Sequence, residues 1–385
     1  MTTMVDEQLA AASNTLWNVA FVGYVVAMVC YFFRLAFTKV STEGVTVSTA
    51  AGRRVGMAGT AIAVAAAGVH TVSVVQRGLA TGRVPWANMY EYSSLMALLA
   101  VVAGLVVVQR RFGYGHLMGF VLALAVLSMT SALLLYAEPG PVVPALQSYW
   151  IKIHTSAAMA SSSIFMVGFA ATALYLVKDT AERRVAARSG ASFGPGSVGA
   201  AEAGAQLAEG YEADTGVPDA DRVADATAQR DVLSPVLFPV LPFLVIGVFT
   251  LAVWQAPVAA LLAGSVGALL GASSWYAVPY LPAAARLDNL AYRVIAFAFP
   301  IWTFAVIAGA IWAEEAWGRY WGWDPKETGS FFTWVLYASY LHARSTHGWR
   351  GRRAAWIAVV AFVALMITYY AVNLWVVGLH SYAGV

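Results

Sequence analysis

Residues 15–37 read TLWNVAFVGYVVAMVCYFFRLAF, a run in which Asn18 and Arg34 are the only amide or charged side chains. A helix rises 1.5 Å per residue, and a hydrocarbon core about 30 Å thick takes about 20 mainly apolar residues to cross, since no water is present to satisfy an open backbone. This stretch is a membrane span. Working outward, the same test picks out spans near 55–77, 89–109, 114–136, 155–177, 290–312, 328–344 and 354–377, and one longer tract, 236–280, broken by Pro257 in Trp254-Gln255-Ala256-Pro257. Two helices joined at that break give ten spans; eight, with a re-entrant or interfacial piece, satisfy the pattern equally. The expected fold class is all-α, a polytopic transmembrane helical bundle. Composition agrees: of 385 residues 60% are hydrophobic and only 11% charged, against about 25% charged in soluble domains. Mean hydropathy is +0.68. A formal charge of +3 and the lack of a long basic run argue against a nucleic-acid partner. Cys30 stands alone and can form no internal disulfide.

The first apolar run is as long as a full span and lacks a basic leader or a small-residue cleavage site, so it is expected to be an anchor. Short cytoplasmic loops collect lysine and arginine. Arg34, Lys39, Arg53 and Arg54 follow the first span, Arg110 and Arg111 the third, and Arg344, Arg350, Arg352 and Arg353 surround the loop before the last. These ends belong inside, which places 78–88, 137–154, 313–327 and the tail from 378 outside the cytoplasm, in a cell (plasma) membrane. The expected organisation is an amino-terminal bundle of five spans over 1–177, a cytoplasmic acidic loop over 178–235 that is disordered by composition, an extra apolar hairpin over 236–285, and a carboxy-terminal bundle over 286–385.

Six histidines occur, at 70, 116, 154, 342, 347 and 380. An ionisable group at membrane depth marks a functional candidate. His154 begins a helix on the outer face and His380 follows the last helix on the same face, so two imidazoles can converge on one metal. Each alone is equally well explained as an interfacial side chain. His342 lies towards the inner end of its helix, with no clear mate in this chain, since His347 is in a loop and His116 near another inner end. His70 is best explained as a satisfied packing residue. Between His154 and His380 comes the densest aromatic segment, Trp312-Ala313-Glu314-Glu315-Ala316-Trp317-Gly318-Arg319-Tyr320-Trp321-Gly322-Trp323-Asp324-Pro325-Lys326-Glu327. A belt of interfacial tryptophans is its ordinary explanation. Gly318 and Gly322 among the indoles, and the Asp324-Pro325 close, fit a ligand platform better, because glycine lets a planar group approach the backbone. On a helical turn Trp317 would share a face with Trp321, and Tyr320 with Trp323. A ligand wanting an aromatic bed, two axial imidazoles and cations for acidic substituents is a haem; Arg319, Lys326, Arg83 and Lys152 are candidates for its propionates.

That order of features resembles the CcsA/ResC cytochrome c biogenesis family. Trp317-Gly318-Arg319-Tyr320-Trp321-Gly322-Trp323-Asp324-Pro325-Lys326-Glu327-Thr328 is similar to its WWD signature, the core of segment 312–328. Leu287 to Arg293, Tyr340-Leu341-His342, Asn373-Leu374-Trp375 with Gly378 to Ser381, and Trp86 to Glu91 are similar to its flanking motifs. The resemblance implies that His154 and His380 ligate haem b beside the WWD segment and that His342 is a transmembrane haem ligand whose mate comes from a ResB-type partner subunit. It further implies system II cytochrome c maturation: haem, as transported substrate, is presented to an apocytochrome c carrying a CxxCH motif, with holocytochrome c synthase (haem lyase) activity only in complex with the partner, all within the lipid membrane. No residue here resembles a nucleophile or general base. One departure is Gly329, where the family usually has tryptophan; another is the length of 178–285. The rivals are a haem-delivery protein of the system I type and a haem-free polytopic transporter or structural subunit.

Overall fold

The computed structural model describes residues 5–40, 46–142, 144–188, 228–346 and 348–380. The described residues are helical, apart from one short hairpin: α1 (Glu7–Ala36), β1 (Thr38–Val40), β2 (Thr46–Ser48), α2 (Ala50–Thr81), α3 (Met89–Ala103, continued by wider turns to Arg111), α4 (Met118–Leu134), α5 (Tyr149–Arg188), α6 (Leu237–Trp254), α7 (Pro257–Ala277), α8 (Ala284–Trp317), α9 (Pro325–Thr346), α10 (Arg352–Tyr369) and α11 (Ala371–Trp375). Among the described residues nine helices are long and apolar enough to cross a membrane. The tenth expected span is α9, a 22-residue helix long enough to cross but too polar to meet the same apolar criterion. The break in the 236–280 tract falls where the sequence places it, with Gln255 left-handed at the end of α6 and Pro257 opening α7, where a missing N–H costs nothing.

Consecutive helices pack as neighbours, α1 on α2, α3 on α4, α6 on α7 and α9 on α10, while α5 and α8 form the longest contact. One core joins α1 through α5 and the start of α8; a second joins α5, α8, α9 and α10 around Phe165, stacked on Tyr337 at 3.8 Å. By contrast, α6 leaves Val240, Leu241, Leu244, Val245 and Val248 exposed, as a lipid-facing helix does. The expected loop 178–235 begins inside α5, which stays helical to Arg188 with Lys178 and Asp179 buried; residues 189–227 lie outside the described residues, as does His347.

Hydrogen bonds tie the loops into two ends. At one end Asp6 meets Ala80, Arg77 meets Ala137, Ser148 meets Glu315 and Leu379 meets Asp324. At the other, Arg344 holds Asp288 bidentately at 2.7 and 2.8 Å, and Arg352 reaches Asp179 at 3.3 Å. The stretches expected outside the cytoplasm gather at the first end, and the arginine-rich stretches at the second.

Candidate functional site

The Asp324-Pro325-Lys326-Glu327 sequence is a helix start. Proline suits the first helical position, and the Glu327 carboxylate accepts the Asp324 N–H at 3.1 Å and the Gly322 N–H at 2.8 Å, which is the reach-back of a capping box. Arg319 pairs with the same carboxylate at 3.4 Å. The capping Asp324 is buried and does more than cap: Oδ2 accepts the Leu379 N–H at 2.7 Å, and Oδ1 lies 2.6 Å from His380 Nδ1. One carboxylate thus fastens the chain beyond α11 to the start of α9.

His154, in the second turn of α5, sets its Nδ1 2.7 Å from the Ala305 carbonyl of α8. Because a carbonyl only accepts, that nitrogen carries the proton and Nε2 is the lone-pair nitrogen. The same tautomer holds for His380 against an ionised Asp324. Burial above all, then the Lys326 ammonium, pushes the His380 pKa down to about 4 against the pull of Asp324. Burial alone would raise Asp324, but the Leu379 N–H and the His380 ring outweigh it and hold the carboxyl below its usual range. Two neutral imidazoles, each with Nδ1 engaged, is the arrangement of oriented metal ligands.

Both rings border one cavity of about 430 Å³, within the range of ~300–1,000 Å³ for ligand sites. Trp312 links them, stacked on His154 at 6.4 Å and edge-on to His380 at 5.5 Å, with Trp317 4.8 Å from His380. Among the described residues no three His, Cys, Asp or Glu side chains gather to hold a bare metal ion. Two imidazoles suffice for a metal whose other positions are already filled, as a porphyrin fills them, so the donor set fits haem. The cavity wall also offers buried polar atoms without a partner among the described residues, Trp86 Nε1 and Asn373 Oδ1.

The four candidate cations separate. Arg83 spends its donors on Glu91, Gly140 and Val84, and Arg319 is held by Glu327. Lys326 and Lys152 border the cavity, and among the described residues the Lys326 amine takes no protein hydrogen bond. The indole segment is not one helical face as the i, i+4 spacing predicts: α8 stops at Trp317, because Gly318 turns left-handed at φ 71°, and residues 319–324 form a non-helical loop. Trp321 and Tyr320 border the cavity, whereas Trp323, at φ 58°, is exposed and meets Trp321 edge-on at 5.8 Å. Gly318, Gly322, Trp323, Asp324 and Pro325 shape the loop without bordering the main cavity.

His342 is exposed and lies 16 residues beyond Lys326, about 24 Å along α9 at 1.5 Å per residue, so it belongs to a different location. His70 is fully buried between Tyr24 and Ser94, a satisfied packing residue. Gly329 explains its own departure from the WWD pattern, since even a Cβ there would lie 2.5 Å from Thr368 Oγ1 of α10. Trp302, Tyr92 and Tyr369 also border the cavity; as aromatics within apolar spans they carry no sequence signal that separates them from core. The Trp86–Glu91 motif has a structural basis: Asn88 caps α3, and buried Glu91 binds both Arg77 and Arg83.

A family model described as cytochrome C assembly protein matches residues 86–380. A protein of Gloeobacter violaceus, cytochrome c biogenesis protein CcsA, is 33% identical over 384 residues, covering 98% of each chain. Proteins of the same name from Rippkaea orientalis and Synechococcus elongatus are 34% and 32% identical, covering 97% of this chain and 98% of theirs.

Proposed function

The chain belongs to the cytochrome c assembly protein family, and from that premise we propose that it handles haem b during cytochrome c maturation of the system II type, holding it between His154 and His380 for attachment to an apocytochrome c. The observation that carries the reading is the meeting of two imidazoles, each fixed at Nδ1, at one aromatic cavity. In this reading Nε2 of each ring would face the iron, Trp312 and Trp321 would supply apolar surface, Trp317 would pack on His380, and Lys326 and Lys152 would receive the propionates. The cavity end faces away from the cytoplasm, in keeping with the arginines of the opposite end. His342, far along α9, serves a separate transmembrane haem position completed by a ResB-type partner.

Attachment adds each thiol of a CxxCH segment across a haem vinyl group, the sulfur bonding to one carbon and a proton to the other. The reactive atoms belong to haem and peptide, and the protein's contribution is position and the exclusion of water. Synthase activity is accordingly a property of the complex with the partner. Purification of the full chain with its partner, followed by a pyridine haemochrome assay, tests the reading. It expects haem in the wild type and a loss of haem and of cytochrome maturation in His154→Ala and His380→Ala. Wild-type levels of both in those variants would overturn it.

A further inference from the structure

The His154 imidazole does not meet α8 at an ordinary position. Its Nδ1 lies 2.7 Å from the Ala305 carbonyl, which in an α-helix already receives the N–H of residue 309. Residue 309 is Gly309, and a Cβ built there would lie 2.7 Å from His154 Nδ1, 2.8 Å from Cε1 and 3.4 Å from Cγ. Real Cβ atoms do not approach a ring so closely. The ring therefore occupies the space that any other residue at 309 would fill, and only across that gap can Nδ1 reach the carbonyl one turn earlier. The ring also lies nearly parallel to Trp312, three residues further along α8, with ring centroids 6.4 Å apart. Gly309 and Trp312 together border the cavity on which His154 opens.

We propose that Gly309 is a positioning residue: its missing side chain is the seat that fixes the orientation and tautomer of His154, presenting Nε2 to the iron. The inference rests on the haem reading above, but it makes a claim about the ring that holds without haem. An added methyl group forces the imidazole away from α8, breaks the bond to Ala305 and frees Nδ1, so that the ring no longer offers a fixed lone pair. Helix propensity works the other way, since alanine is the better helix former. A loss on Gly309→Ala is therefore due to the seat rather than to a weaker helix.

Two readouts test this on the full chain in detergent. Nitrogen-15 histidine NMR of the haem-free protein is expected to show His154, identified by its loss in His154→Ala, as the Nδ1-protonated tautomer, and Gly309→Ala is expected to abolish that signal. A wild-type His154 protonated at Nε2 would overturn the proposal, even if the variant does not fold. Next, each protein is loaded with ferric haem b. Wild type is expected to give a low-spin bis-imidazole spectrum, and Gly309→Ala a high-spin or mixed one that added imidazole restores to low spin, as it does for His154→Ala. Gly68→Ala, where a Cβ meets nothing within 4 Å, is expected to match wild type. A low-spin Gly309→Ala spectrum identical to wild type, or a defect that imidazole does not repair, would contradict the seat. A wild type without bis-imidazole ligation but with the Nδ1 tautomer intact would instead defeat the haem reading.

Discussion

At the scale of single residues the site depends on which nitrogen of each imidazole carries the proton. Asp324 settles this for His380, and Gly378 makes it possible, since a Cβ at 378 would lie 2.7 Å from Asp324 Oδ2. Removing the partner that orients a metal-ligating histidine typically costs about 10–100-fold in affinity. Asp324→Asn is expected to weaken haem binding by that order, measured by titration of the detergent-solubilised protein. Acid should act late. The groups facing His380 are Asp324, Lys326 and His154, and its pKa stands near 4 against an ordinary 6.5. Between those values the unfolded chain binds more protons than the folded one, so the stability this ring contributes is fully present above 6.5 and falls as pH drops through that window. Haem occupancy, followed by absorbance, is therefore expected to persist from pH 7 to about 5 and to collapse only towards 4. A loss centred near 6.5 would show an ordinary, exposed imidazole. None of this orientation was legible in the sequence. His154, His380 and the tryptophans stand out by type and placement, but the carbonyl of Ala305 and the bare Cα of Gly309 look like any other residues of an apolar helix.

At the scale of elements, membership of spans was legible because crossing a bilayer imposes a length of apolar residues, and Pro257 marks a break by its chemistry. The path of the WWD segment was not. Periodicity continued across Gly318 puts Trp317 and Trp321 on one face, whereas the left-handed glycine ends α8 and the capping box at Asp324 begins α9. The loop between is held by the Arg319–Glu327 pair, and the one before α3 by Glu91 with Arg77 and Arg83. Glu91 and Arg77 are almost wholly enclosed, and truncating one partner of such a pair costs about 3–5 kcal/mol, because the other charge is left buried and alone. Glu91→Ala is expected to lower the thermal midpoint strongly, read by tryptophan fluorescence or loss of monodisperse elution. A midpoint within a degree or two of wild type would show that water replaces the carboxylate. At Gly329, Gly329→Trp is expected to separate α9 from α10 and lower the same midpoint, although it restores the usual residue of the WWD pattern.

For the whole molecule, the arrangement sorts function by end. The cavity, both fixed imidazoles and Lys326 lie at one end, and the Arg344–Asp288 and Arg352–Asp179 pairs at the other. The distribution of arginine already separates these ends in the sequence, which is why so much of the architecture could be read there; the depth and shape of the cavity, made by side chains of α2, α3, α5, α8, α9, α10 and α11 and of the loops at that end, could not. In a Cys30→Ser background, cysteines placed at Glu138 or Tyr320 are expected to react with a membrane-impermeant maleimide added to intact cells, and cysteines at Arg53 or Arg350 only after lysis. The reverse pattern would invert the molecule and put haem attachment on the wrong side. The central claim, that His154 and His380 together ligate haem iron, is tested most directly by near-infrared magnetic circular dichroism of the ferric, haem-loaded full chain. The charge-transfer band is expected at the bis-imidazole position in wild type and displaced in each single histidine variant. A wild-type band belonging to another ligand pair, or one that survives both substitutions unmoved, would contradict the account.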